Sequence, residues 1–109
     1  MKVMLKNSSR DNSIYIDCEE KIVAKSIDEV IDKSYEFSKK IKDAVKSAYP
    51  EFDNDSNPVL PFNYSQLHQD SDTCYSVPVY VSITIKTYDW TDEKIRETMK
   101  QVLNAIYGC

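Results

Sequence analysis

Hydrophobic and polar positions alternate with period two in three short stretches ahead of Ser26: Lys2 to Lys6 (KVMLK), Ser13 to Asp17 (SIYID) and Lys21 to Lys25 (KIVAK). Each reads as a strand. The polar run NSSRDN separates the first two, and Cys18, Glu19 and Glu20 read as a tight connection into the third. At Ser26 the period changes. Ser26 followed three residues later by Glu29 forms a capping box, and Ile27, Val30, Ile31, Ser34, Phe37, Ile41, Ala44, Val45 and Ala48 mark one buried stripe of a helix. Tyr49 ends it, because Pro50 disfavours helical geometry in the preceding residue. Acids lead this helix (Asp28, Glu29, Asp32) and lysines trail (Lys39, Lys40, Lys42, Lys46), as the helix dipole favours.

From Pro50 to Asp72 no period holds and three of the four prolines occur, so a long acidic loop is expected over 50–73, with Val59 to Phe62 (VLPF) as a short edge-strand candidate. Tyr75 to Tyr88 then alternates over its whole length. Val77, Val79, Val81, Ile83 and Ile85 point one way and Tyr80, Ser82, Thr84, Lys86 and Tyr88 the other, with Pro78 placing the start at an edge or bulge. Thr91 caps a second helix with Trp90 placed to staple onto Ile95. Its stripe is Ile95, Met99, Val102, Leu103 and Ile106, and Gly108 is its left-handed terminator. The expected fold is one α+β domain over residues 1–109. Its mostly antiparallel sheet of about four strands packs in two layers against two helices, in the order β-β-β-α-β-α.

With 109 residues, 41% apolar and 29% charged, the chain has material for one core. A single glycine rules out the glycine-rich phosphate loops GxGxxG and GxxxxGK[ST]. No apolar run approaches the length of a membrane span, and Met1 to Asn7 lacks the apolar core of a secretory signal, so a cytoplasmic location is expected. Cys18, Cys74 and Cys109 are odd in number and form no CxxC pair, which points to reduced thiols, with Cys109 the most exposed.

Demanding chemistry finds little support. Asp53, Asp55 and Asn57 have the spacing of the first three ligands of a calcium loop, but Pro58 and Tyr64 stand where glycine and a bidentate acid are required. His68, Asp70, Asp72 and Cys74 alternate, which on an extended strand would place all four on one side, though the set is not a common metal set. His68 is the only histidine and so the only imidazole base for Cys18 or Cys74. Asp17, Glu19 and Glu20, with Asp53 or Asp89, could form a carboxylate cluster for a metal-dependent hydrolase. No cofactor is expected.

Charge is the clearest signal. Residues 1–49 have net charge +1 and residues 94–109 net +2, whereas residues 50–93 set Lys86 alone against Glu51, Asp53, Asp55, Asp70, Asp72, Asp89, Asp92 and Glu93, net −7. Eight of the twelve aromatics fall between residues 49 and 90. Acids interleaved with tyrosines suit an interface meeting an arginine-rich surface. Glu51, Phe52, Asp53, Asp55, Tyr64, Asp70, Asp72, Tyr80 and Tyr88 are the expected partner-binding residues. The same charge argues against direct nucleic-acid binding, for which a basic face is expected.

The order of elements, with SIYID and KIVAK before a capped helix and DNDSNPVLP after it, resembles the truncated RNase H-like domain of HicB-type antitoxins over about residues 13–88, in element order and loop placement. The family's glycine-containing stretch before the helix and its DNA-binding tail are absent. The resemblance implies an antitoxin covering a basic RNA-cleaving toxin. On the partition of charge and aromatics, the leading expectation is a non-enzymatic inhibitor or antitoxin-like protein, of the kind phages and mobile elements encode, that occupies a basic surface on a nuclease or toxin. The alternatives are the metal-dependent hydrolase and an assembly subunit in which Tyr80 and Tyr88 form a homodimer face.

Overall fold

Ile14, Ile16, Cys18, Ile22 and Ala24 all fall on one face if the chain stays extended from residue 13 to 24, and the only charged residue of that parity is Glu20. The computed structural model, which describes residues 1–52 and 61–108, shows that extension. Strand β1 spans Lys2–Ser8 and β2 spans Ser13–Ala24 without interruption. The expected turn at Cys18 to Glu20 is thus a correction: KIVAK is the second half of β2, not a third strand. Those three residues lack glycine, proline and asparagine, and the period-two pattern runs through them, so nothing in their backbone preference ends the strand. The turn falls at residues 9–12, where Asn12 takes φ 50°, a left-handed conformation that asparagine tolerates.

Helix α1 spans Ile27–Ala48. Its capping box forms as the spacing predicts, with Ser26 Oγ accepting from the Glu29 N–H at 3.2 Å and Glu29 Oε2 accepting from the Lys25 N–H at 3.1 Å. Lys33 Nζ lies 3.2 Å from the Glu29 carboxylate and also donates to the Val23 carbonyl at 2.9 Å, tying the helix start to the end of β2. After α1 come a 3-10 turn at Tyr64–Gln66, strand β3 at His68–Ser71, strand β4 at Cys74–Lys86 and helix α2 at Asp92–Tyr107. The expected long loop therefore contains a turn and a strand. The edge-strand candidate at 59–62 lies partly outside the described residues, but the Pro61 carbonyl accepts from the Tyr80 N–H at 3.0 Å, beside β4.

The sheet is antiparallel with order β1-β2-β4-β3. The observed order β-β-α-β-β-α is two hairpin-plus-helix units whose second strands, β2 and β4, meet at the centre. Their pairing runs from Ser13 opposite Lys86 to Ala24 opposite Tyr75. Ile14 faces Ile85, Ile16 faces Ile83, Cys18 faces Val81 and Ile22 faces Val77, all on the side covered by the helices. Helix α1 lies against β2 and β4, and α2 against α1 and β1. Phe37, Ile41 and Val45 from α1 and Val102 and Ile106 from α2 complete the core. Two expected stripe residues are displaced: Ile27 is 42% exposed and Leu103 37%, while Thr98 is buried in α2. Thr91 Oγ1 accepts from the Lys94 N–H at 3.1 Å, and Gly108 closes α2 at φ 72°.

Ile16 has no solvent exposure and sits between β1 and β4 under the helices. Ile16→Ala should cost about 2–5 kcal/mol in urea unfolding, and Leu103→Ala under about 1 kcal/mol. Equal losses would mean that the core is not centred on the β2–β4 pair.

Candidate functional site

Because the helices cover one face of the sheet, the other carries no helix or strand among the described residues and is called the open face. Along β1 this face presents Lys2, Met4 and Lys6; along β2, Tyr15, Asp17, Glu19, Lys21 and Val23; along β4, Tyr80, Ser82, Thr84 and Lys86. Met4 is 58% exposed, Val23 50% and Tyr80 49%. At the middle of the face lies a shallow depression of about 240 Å³ bounded by Lys2, Met4, Asp17, Glu19, Tyr80 and Ser82. Asp17 Oδ1 accepts a hydrogen bond from Ser82 Oγ across the β2–β4 pair. The Glu19 carboxylate makes no hydrogen bond or ion pair among the described residues.

Nine partner-binding residues were expected to form one acidic, aromatic patch. Asp53 and Asp55 lie outside the described residues. The others divide among several places. Asp70 and Asp72 sit in the β3–β4 hairpin, where the Asp70 carboxylate accepts from Ser76 Oγ at 3.3 Å and Cys74 Sγ at 3.9 Å. Tyr88 is at the opposite end, past Lys86, and is 61% exposed. The ten residue steps of β4 from Ser76 to Lys86 span about 33 Å. Tyr80 is on the open face between them. Tyr64 packs edge-on to Phe62 at 5.2 Å, and Phe52 is half-buried against the core.

What the fold does bring together is the C-terminal end of α1 and the turn before α2. The rings of Tyr49 and Trp90 meet edge-on at 5.3 Å, although 40 residues separate them, and Lys94 Nζ lies 4.2 Å above the Trp90 ring. Tyr49 donates to the Glu51 carboxylate at 3.2 Å. Burial, and then Glu51, raise the Tyr49 phenol above its ordinary value, so it stays protonated and donating. Tyr88, Asp89, Asp92 and Glu93 surround the same turn, all exposed. Asp89 takes φ 65° in it. Glu51, Phe52 and Tyr88 were expected site residues. Asp89, Trp90, Asp92 and Glu93 were not, and their acidic, aromatic run YDWTDE was the available signal.

The catalytic candidates do not assemble. Among the described residues no three His, Cys, Asp or Glu side chains converge as metal ligands. Of His68, Asp70, Asp72 and Cys74, the structure joins Asp70 to Cys74, and His68 pairs with Ser76, which also donates to Asp70; Asp72 lies in the turn, and the four do not converge as a ligand set. Asp17 and Glu19 lie in mid-strand on the open face, while Glu20 has the opposite parity and lines a cleft beside Lys33, Glu36 and Lys40 of α1. The calcium-like triad Asp53, Asp55, Asn57 is outside the described residues. Cys18 points into the core. Burial, with a smaller contribution from the Asp17 charge, pushes its thiol up from 9.0 to about 11.

No helix among the described residues is long and apolar enough to cross a membrane. No family model, curated protein or solved structure matches the chain. The observed order is close to the one that resembled HicB-type antitoxins and differs from it in that SIYID and KIVAK form one strand and β3 is added before β4.

A thiol raised to about 11 is on the order of 0.1% ionised near pH 8, against roughly 10% for an unshifted one. Native alkylation with iodoacetamide at that pH, read by peptide mass, should modify Cys74 and spare Cys18 until the protein is unfolded. The raised value favours the folded state while the thiol is protonated. That contribution is complete below 9.0 and is lost as pH rises through about 11. Rapid native labelling of Cys18 would contradict its burial.

Proposed function

We propose that the protein is a non-enzymatic interaction domain, inhibitor-like or antitoxin-like in its mode of action. In this reading it meets a basic surface of a partner protein with the acidic, aromatic end formed by Glu51, Phe52, Tyr88, Asp89, Asp92 and Glu93. The observation that carries this is the Tyr49–Trp90 contact, which brings Glu51, bonded to Tyr49, to the same end as the acidic turn of Asp89, Asp92 and Glu93. Tyrosine and tryptophan offer large contact areas at low entropic cost, and exposed carboxylates around them select cationic partners and speed encounter. A nuclease or toxin whose own basic surface binds nucleic acid fits that chemistry. Asp70 and Asp72 are a separate acidic site at the hairpin end.

The test compares two pairs of neutralised acids with equal change in net charge. Calorimetric titration against polyarginine should find Glu51→Gln/Asp89→Asn about tenfold weaker than the parent, and Asp70→Asn/Asp72→Asn within about twofold of it. Asparagine tolerates positive φ, so Asp89→Asn keeps the turn. Binding of the parent should fall steeply with added salt. Equal effects of the two pairs, or indifference to salt, would overturn the reading.

A further inference from the structure

We infer that the depression on the open face of the sheet is a receptor for a single arginine side chain presented by a partner protein. The inference rests on the reading of the protein as a binding domain for a basic partner, and adds a second contact remote from the acidic end. Met4 and Tyr80, both about half exposed, flank the depression, which is large enough at about 240 Å³ for a guanidinium and part of its stem. Asp17 and Glu19 line it from β2, two residues apart and on the same face. Ser82 engages one Asp17 oxygen, while Glu19 has no partner among the described residues.

The chemistry selects arginine over other occupants. A planar guanidinium stacks on a tyrosine face while its fork of N–H donors bonds carboxylates, whereas an ammonium does only the second well. Lys2 lines the depression beside Asp17 and Glu19, whose two carboxylates outweigh it, and Lys6, Lys21 and Lys86 stand farther out on the face; the remaining negative charge attracts a cation and repels a phosphate backbone. That combination disfavours a nucleic acid in the depression itself. Lys2 is the cross-strand neighbour of Glu19 without forming an ion pair to it, so the incoming cation displaces no existing bridge.

The experiment is a nitrogen-15 NMR titration of the full chain with a blocked Gly-Gly-Arg-Gly-Gly peptide and its lysine counterpart. Saturable shifts are expected at Met4, Asp17, Glu19, Tyr80 and Ser82 with the arginine peptide, and clearly weaker ones with lysine. Tyr80→Ala and Asp17→Asn/Glu19→Gln should each abolish saturation while leaving the rest of the spectrum unchanged. Both side-chain sites are on the open face, and Glu19→Gln alone serves if the Asp17 change disturbs the fold. Shifts confined to the Tyr88–Glu93 turn would overturn this inference and leave the acidic-end reading standing. No shifts at all would count against both. Equal response to lysine would overturn arginine selectivity. Concentration-dependent shifts at these residues without peptide, or shifts with oligouridylate, would assign the face to a second copy or to RNA and overturn it as well.

Discussion

The antiparallel pairing of β2 with β4 is the interaction on which the rest of the molecule depends. It is long, running from Ser13 opposite Lys86 to Ala24 opposite Tyr75, and both strands contribute a long apolar row to it, interrupted at Glu20 of β2. Because side-chain period along a strand is two, this register places Ile14, Ile16, Cys18 and Ile22 against Ile85, Ile83, Val81 and Val77 on one face. A slip of one residue would turn that row into solvent and bring Asp17, Glu19 and Lys21 into the core. The cost of such a slip fixes the register, and the register fixes which side chains form the open face. The depression bounded by Met4, Asp17, Glu19 and Tyr80 is therefore a consequence of the core, viewed from the other side of the sheet.

Much of the fold was legible because alternation and capping are local signals. Both helices start and stop within a residue or two of where Ser26, Pro50, Thr91 and Gly108 place them, and the apolar row of β4 is as its alternation predicts. At residues 18–20 charge and period point in different directions, and period prevails. Cys18, Glu19 and Glu20 looked like a turn because acids are common in turns, yet Ile16 and Ile22 keep the same parity across them, as an unbroken strand requires. Strand β3 was illegible for a different reason. His68 to Ser71 is wholly exposed and polar, with no hydrophobic period of its own, and it is a strand only because the start of β4 offers it a partner.

The candidate site was less legible than the fold, since it depends on contacts between segments far apart in the chain. Nothing local in Tyr49 or Trp90 announces that their rings meet. Tyr49 lies where α1 runs out at Pro50, and Trp90 lies in the turn that reverses the chain from β4 into α2. The lengths of α1 and β4 bring both to the same end of the molecule, and the aromatic contact then brings Glu51 to the end that holds Asp89, Asp92 and Glu93. Met4 was overlooked for a similar reason: in KVMLK it reads as one more apolar residue, and only its parity with Lys2 and Lys6 shows that it faces outward.

The acidity of residues 50–93 looks like one property in the sequence, but the fold divides it among the described residues. Asp70 and Asp72 lie at the β3–β4 hairpin and Glu51, Asp89, Asp92 and Glu93 at the other end, roughly 33 Å away along β4. At physiological ionic strength the Debye length is about 8 Å, so the two groups act on a partner almost independently. Acidity divided in this way among the described residues does not define a single face. Selectivity must then come from short-range features at each location. At the α1–α2 end these are the exposed Tyr88 ring and the paired Tyr49 and Trp90. On the sheet they are Tyr80 and Met4, beside carboxylates held in place by the strand pairing. At the hairpin, Asp70 is engaged by Ser76 and Cys74, and the Tyr75 ring of the same hairpin is half-buried against the core. The fold thus ranks acidic segments that the sequence left equivalent, and the ranking follows from which of them lie next to an exposed ring.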